Sequence, residues 1–298
     1  MQFSWLNRQN NKNLIVFFAG WSFDEKPFEF LACEDCDVLF VFDYSGKCKV
    51  ESGKFDFEGR KVEGLEGKPV NNSFDEISQK SIRHCEEGVS PTWQSSDLDV
   101  KRTGLLRFAR NDSLSETTQT QQSDTVLSLY RPIALSPYSR KYLLTWSMGT
   151  YVAYQMRDLF KDFDKKIAIN GTPFPVDNDY GIPEKPFLLT LRHAKTGLEG
   201  KFYQNIFDKS EEYERYLKTP VERSIENRVT ELQDLYDDIK NSEKTYEKFY
   251  DKAFVSLNDK IIPSKNQLKF WQDFGVPVEK LESGHFPYYN FNAWKDFL

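Results

Sequence analysis

Four cysteines in 298 residues are too few to staple a fold, so the chain must hold itself together through a hydrophobic core rather than a disulfide framework. Cys33 and Cys36 form a single CxxC pair with no second pair and no histidines at zinc-ligand spacing, so no metal and no cofactor is expected. Histidine is scarcer still, with only His84, His193 and His285. No segment approaches the ~20 apolar residues that a membrane span needs. The apolar run at 14–20 follows Arg8 and Lys12, but it is at the short limit of a signal-peptide core and runs directly into Trp21 and an acidic stretch. It reads as a buried strand, and the protein as cytoplasmic with no membrane partner. Basic residues are in the minority, 40 against 46 acidic for a net charge of −6, which argues against a nucleic-acid partner.

What is present is enough apolar residue, 39% with 15% aromatic, to pack a core. The mean hydropathy of −0.64 is low for such a core, so part of the chain lies outside it. Leu14-Ile15-Val16-Phe17-Phe18 and Val38-Leu39-Phe40-Val41-Phe42 are apolar at every position, as in strands covered on both faces of a parallel sheet. A helix between them is expected to complete a βαβ unit. Tyr142 to Thr145, Lys166 to Ile169, Ala253 to Leu257 and Val278 to Leu281 read as further strands. Helical spacing follows in 148–160, with Val152, Met156 and Leu159 on one face. A last helix is expected to include 293–298. The alternation implies an α/β fold, a mostly parallel central sheet flanked by helices.

Two segments interrupt this pattern. Residues 58–134 hold little apolar periodicity and include the polar run Ser113 to Ser123. They read as an insertion, disordered or loosely packed, the alternative being a small subdomain around Leu105, Leu106 and Phe108. The body of the α/β fold is then 1–57 with 135–298. Within it, 184–250 is mostly helical and charged, like a cap. Thr219-Pro220-Val221-Glu222 has the form of a helix start, followed by a stripe of Val221, Ile225, Val229, Leu232, Tyr236 and Ile239.

The chemistry centres on Thr145-Trp146-Ser147-Met148-Gly149, between a strand and a helix. That is the setting of a nucleophile elbow, although Thr145 stands where the G-x-S-x-G pattern has its first glycine. A serine nucleophile needs a base, most often histidine. His285 follows the last strand and would reach the elbow from the carboxyl edge of the sheet. An acid must fix the histidine tautomer. Asp259 directly follows a strand and gives the chain order Ser147, Asp259, His285; Asp177 is the reserve. Two backbone N–H groups would form the oxyanion hole, one from Met148 and one from Trp21, with Gly20 allowing close approach of the substrate. Asp43 reads as turn chemistry. Two or three of Trp21, Phe23, Trp146, Phe174 and Phe286 are expected to line an acyl pocket, so Gly20, Trp146, Phe174 and Phe286 are the candidate substrate-binding residues.

FFAGW at 17–21, FDYS at 42–45, WSMG at 146–149, INGTPFP at 169–175, DNDYGIP at 177–183, SLNDKIIP at 256–263 and ESGHFPYY at 282–289 together resemble BioG-type pimeloyl-[acyl-carrier protein] methyl ester esterases. The resemblance covers most of 13–57 and 135–298. It implies the α/β-hydrolase fold and a triad of Ser147, Asp259 and His285, with Trp21 and Met148 as oxyanion donors. It also implies a carboxylesterase that frees a carrier-bound pimeloyl chain from its methyl ester in biotin synthesis. Those esterases run almost directly from a stretch like Phe55-Asp56-Phe57 into the strand before the serine, and here 58–134 intervenes. The implied partner is an acidic acyl-carrier protein, for which Arg192, Arg223 and Arg228 are the candidate docking residues. A serine thioesterase or lipase-like acyl hydrolase is the alternative within the enzyme class. A non-catalytic binding protein of the same fold is the alternative outside it.

Overall fold

A computed structural model describes residues 1–46 and 138–298. The insertion at 58–134, the Phe55-Asp56-Phe57 stretch, His84, Cys48 and Cys85 lie outside the described residues.

Seven strands form one sheet in the order β1-β3-β2-β4-β5-β6-β7. They are β1 (Gln2–Asn7), β2 (Asn13–Phe18), β3 (Cys36–Phe42), β4 (Arg140–Trp146), β5 (Lys165–Ile169), β6 (Lys252–Ser256) and β7 (Val278–Leu281). From β2 to β7 every pairing is parallel. Leu14, Ile15, Val16 and Phe17 in β2 and Val38 to Val41 in β3 are fully buried, as their unbroken apolar runs require. Each such side chain stabilises the fold by about 1.5–3 kcal/mol relative to exposure.

β1 is a strand that the sequence reading did not anticipate. It pairs antiparallel with β3 at the sheet edge and is only half buried, so its pattern lacks the continuous apolar run of its neighbours. The expected helix between β2 and β3 is reduced to a single 3₁₀ turn, Lys26–Phe28. Pro27 and the fully buried Phe23 and Phe28 pin this connection against the sheet instead of extending it. The end of the chain likewise closes in a 3₁₀ turn, Trp294–Phe297.

The first helix, α1 (Met148–Gln155), follows β4 directly. Between β5 and β6 the chain leaves the sheet and builds a cap from α2 (Glu184–Gly197), α3 (Tyr203–Ile206), α4 (Ser210–Tyr216) and α5 (Ile225–Asn241). α2 and α5 pack through apolar faces, with Phe187 stacked on Tyr236 at 5.4 Å. α6 (Ser264–Asp273) then leads from β6 to β7.

The expected start at Thr219-Pro220 is not a helix start. α5 begins at Ile225, and the Ser224 hydroxyl caps it by accepting from the Asn227 N–H at 3.2 Å. The reason lies upstream: the N–H groups of Glu222 and Arg223 donate to the Asp24 carboxylate, at 2.7 and 3.3 Å, and so are held outside a helix. Among the described residues no helix is long and apolar enough to cross a membrane.

Because β2 to β7 run the same way, their carboxyl ends share one edge of the sheet. The segments leaving that edge carry Gly20-Trp21-Ser22, Asp43, Ser147, Asn170, Asp259 and His285.

Candidate active site

Ser147 sits at the exit of β4 with φ 55° and ψ −125°, a conformation that costs a non-glycine residue free energy and recurs at functional sites. Its N–H donates to the Ile169 carbonyl at 3.0 Å. The turn is possible because α1 starts against β2 with no side chain between them. A Cβ on Gly149 would meet the carbonyl oxygens of Phe18 and Ala19 at 2.4 Å. Thr145, in place of the pattern's first glycine, is fully buried. Its hydroxyl lies 3.1 Å from that of Thr150 and reaches the Ile167 carbonyl at 3.4 Å. The space below the elbow therefore takes a β-branched hydroxyl residue.

The structure brings Ser147, His285 and Asp259 together. His285 Nε2 lies 2.9 Å from Ser147 Oγ, and its Nδ1 lies 2.8 Å from Asp259 Oδ2. The carboxylate accepts at both oxygens. Ile261 and Ile262 N–H donate to Oδ1 at 2.8 and 2.9 Å, and Gln267 Nε2 donates to Oδ2 at 2.8 Å. A carboxylate in that setting accepts only, so Nδ1 of His285 carries the proton facing it and Nε2 is left to accept from the serine. The His285 and Asp259 side chains are 3% and 0% exposed, which keeps this chain of hydrogen bonds dry.

Two residues that sequence reasoning missed hold this geometry. Asn170, at the end of β5 with φ 43°, accepts from the Ser256 N–H at 2.7 Å. Its amide donates to Ser256 Oγ at 2.8 Å and to the His285 carbonyl at 2.9 Å. Trp146 Nε1 donates to the same carbonyl at 2.9 Å. The loop bearing His285 is thereby tied to the ends of β4 and β5. Gln267, on α6, is the other. The Asn170-Gly171 pair at a strand end was the one available signal; Gln267 carried none.

Gly20, Trp21, Trp146, Ser147, Met148 and His285 line one cavity of about 410 Å³ under the cap. The Trp21 and Met148 N–H groups donate to no backbone acceptor among the described residues outside the helical and sheet ladders. Gly20 is required where it stands, since a Cβ there would meet the Trp146 ring at 2.9 Å and Ser147 Cβ at 3.0 Å. A shallow hollow of about 440 Å³ lies at the opposite, amino ends of β5 to β7, away from these groups.

Phe174 and Phe286 are corrections. Neither lines the cavity. Phe174 packs beside α6 on Phe270 at 5.4 Å. Phe286 is fully buried, 5.8 Å from Phe23 and 5.4 Å from Phe207. Each follows a strand end, but its backbone turns the ring into core. The cavity wall comes instead from cap residues, among them Phe187, Leu189, Leu198 and Phe202.

Arg223 and Arg228 are corrections as well, because both are internal. The Arg223 side chain is 7% exposed, with Nη1 2.9 Å from Glu231 and Nη2 3.0 Å from Asp43. The second contact is charge to charge, without hydrogen-bond alignment. Arg228, 3% exposed, donates to the Tyr203 hydroxyl at 2.7 Å. Arg192 is exposed on α2. Asp43 closes its own turn, accepting from the Ser45 N–H at 3.2 Å and from the Ser45 hydroxyl. Burial pushes its carboxyl up, but Ser45, Arg223 and Asn227 outweigh that and hold it below the usual carboxylate value. Asp177 also closes a turn, through the N–H groups of Asp179 and Tyr180. His193 lines the cavity from α2.

Cys33 and Cys36 are free thiols, and burial pushes Cys36 up to about 11. Among the described residues no three His, Cys, Asp or Glu side chains are placed to share a metal ion.

A parallel sheet with a strained serine at the β4 exit, a histidine after the last strand and an acid after β6 is the layout of an α/β-hydrolase. The model of the family described as pimeloyl-ACP methyl esterase BioG matches residues 124–297. The chain belongs to the BioG family.

BioG from Haemophilus influenzae has the same fold in its crystal structure, with a TM-score of 0.64 at 21% identity over 100% of this chain and 99% of that one. In sequence, the chain is 30% identical over 160 residues to an uncharacterised protein of Haemophilus influenzae, covering 54% of this chain and 73% of that protein. It is 31% identical over 156 residues to a malonyl-[acyl-carrier protein] O-methyltransferase of Bacteroides fragilis (strain 638R). That match covers 51% of this chain, and the chain spans only 31% of the Bacteroides protein's length. As a BioG-family α/β-hydrolase, the chain is a hydrolase enzyme.

Proposed function

We propose that the chain is a serine carboxylesterase that hydrolyses the methyl ester of pimeloyl-[acyl-carrier protein], releasing methanol and the free carboxylate in biotin synthesis. The hydrogen-bonded chain Asp259–His285–Ser147 at the wall of an apolar cavity, in a member of the BioG family, carries this reading. The Bacteroides relative supports the substrate class, since it is named for adding a methyl group to a carrier-bound acyl chain.

His285 Nε2 takes the Ser147 proton as Oγ attacks the ester carbonyl. The tetrahedral oxyanion rests on the N–H groups of Trp21 and Met148. Asp259 stabilises the imidazolium, which then protonates departing methanol. Water, activated by the same histidine, attacks the acyl-enzyme and frees the acid.

The acyl chain lies in the cavity and the carrier stays outside. Lys201, Lys260 and His193 line the cavity, and among the described residues no carboxylate does. With Arg192 and Lys195 exposed on α2, they offer a cationic mouth to an acidic carrier.

The test is hydrolysis of the carrier-bound methyl ester by the purified chain beside Ser147→Ala. The variant should fold normally and lose turnover by at least about 10⁴-fold. A fully active alanine variant removes Ser147 as nucleophile. Serine-dependent cleavage of thioesters or generic esters, with none of the carrier-bound methyl ester, keeps the triad and discards the biotin role.

A further inference from the structure

The oxyanion loop is held from the cap. Ser22 follows the proposed donor Trp21 and has φ 73°, a left-handed conformation that a serine keeps only where its surroundings impose it. The Ser22 N–H donates to Glu231 Oε2 at 3.2 Å, and the Ser22 hydroxyl lies 2.7 Å from that of Tyr203. On the other side of the donor, Trp21 Nε1 donates to the Arg228 carbonyl at 2.7 Å. Glu231 and Arg228 belong to α5, and Tyr203 opens α3.

Glu231 is fully buried. Its second oxygen accepts from the Tyr44 N–H at 2.9 Å, and Arg223 Nη1 lies 2.9 Å from the first. Three donors thus converge on one carboxylate from the exit of β2, the exit of β3 and the cap. Burial pushes this carboxyl up, while Arg223 and the Tyr44 and Ser22 N–H groups pull it back. The net direction is upward, and what favours the ionised form against that burial is the Arg223 guanidinium together with the N–H donors on both oxygens.

We infer that Glu231 and Tyr203 are positioning residues for the oxyanion site, fixing Ser22 from the cap and thereby the aim of the Trp21 N–H beside Ser147. This rests on the esterase reading above. It makes the cap part of the catalytic apparatus as well as the cavity wall: a shift of α5 is passed to the oxyanion donor through a carboxylate and an indole N–H.

Glu231→Gln tests it, since an amide has one acceptor oxygen and leaves at least one of the three donors facing an N–H. The measurements are kcat and KM for an ester, and inhibition by a trifluoromethyl ketone, whose tetrahedral adduct carries an oxyanion, beside inhibition by the free-acid product, which forms no such adduct. Expected is a loss in kcat of about tenfold, less than deleting a donor outright, with a matching loss of ketone affinity. KM and product inhibition should change less than about twofold. Unchanged kcat and ketone affinity overturn the inference, as does equal weakening of ketone and product, which would mark a purely structural role. Should Glu231→Gln not fold, Tyr203→Phe decides, with the same split expected at smaller size and unchanged ketone affinity overturning the role. Wild-type chain that neither hydrolyses esters nor is captured by the ketone sinks the esterase reading itself; wild-type turnover indifferent to these variants sinks only the positioning role.

Discussion

Asn170 shows how one side chain can set the position of another. The left-handed φ of 43° at this strand end suits asparagine better than almost any residue except glycine. The amide then uses both its ends: one oxygen for the Ser256 N–H, two donors for Ser256 Oγ and the His285 carbonyl. Asn170→Ala leaves the buried Ser256 N–H unpaired, which costs about 1–3 kcal/mol, and loosens the loop that carries the histidine. Urea unfolding should register that loss, and kcat on an ester should fall while KM stays close to wild type. Asn170→Asp keeps the acceptor but cannot donate to the carbonyl, so it should not restore kcat. A fully active alanine variant would remove Asn170 from the positioning of His285. The sequence marks this asparagine only by its place in an Asn-Gly pair at a strand end, a signal it shares with ordinary turn formers. Ser147, Asp259 and His285 were legible because each is a reactive type at a strand exit and their chain order suits the fold. The residues that hold them are legible only once the strand exits are placed side by side. Phe174 and Phe286 fail for the converse reason: their positions follow strand ends, but the direction of a ring depends on backbone turns that periodicity does not encode.

At the scale of elements, the strands read most clearly where they are buried on both faces. β2 and β3 announce themselves as unbroken apolar runs, and half-buried β1 does not. What fastens β1, β2 and β4 at their other end is again one carboxylate. Asp37, in β3, accepts from the N–H groups of Gln9 and Asn11 at 2.9 and 3.2 Å and from the Tyr138 hydroxyl at 2.7 Å. It therefore ties the β1–β2 turn to the residue that leads into β4. Burial pushes its carboxyl up, but these donors prevail and hold it below the ordinary 3.8. A carboxyl whose pKa is lower in the folded chain than in the unfolded one stabilises the fold above the unfolded value, and that contribution is lost as pH falls through the folded value. Asp37→Asn should therefore melt below wild type at pH 7, and the gap should close only as pH drops below about 4. A gap that stays constant from neutral pH to pH 3 would show that the ionised form of Asp37 contributes nothing.

At the scale of the molecule, the cap is where sequence and structure part most. Its charges were visible, but not which of them were already paired. Arg223 and Arg228 look like any cation on a charged helical block, yet Arg223 faces Asp43 and Glu231 inside the protein and Arg228 faces Tyr203. Reversing either would break buried contacts and destabilise the fold rather than report on a carrier. Of the three candidate docking arginines only Arg192 is exposed. Lys201 and Lys260 are exposed and line the cavity, while the chain as a whole is acidic at −6. A local cationic mouth on an acidic protein selects an acidic partner by steering its approach, and such steering weakens as salt screens it. Arg192→Glu combined with Lys195→Glu, both exposed on α2 and outside the cavity lining, should therefore raise KM for the carrier-bound methyl ester by about tenfold or more at low ionic strength, and the difference should shrink as salt is added. KM and kcat for a short methyl ester without carrier should hold, because neither residue touches the Ser147, His285 or Asp259 side chains. Equal damage to both substrates would place these residues in the acyl site instead of the docking surface. No effect on either would move the carrier to another face of the cap.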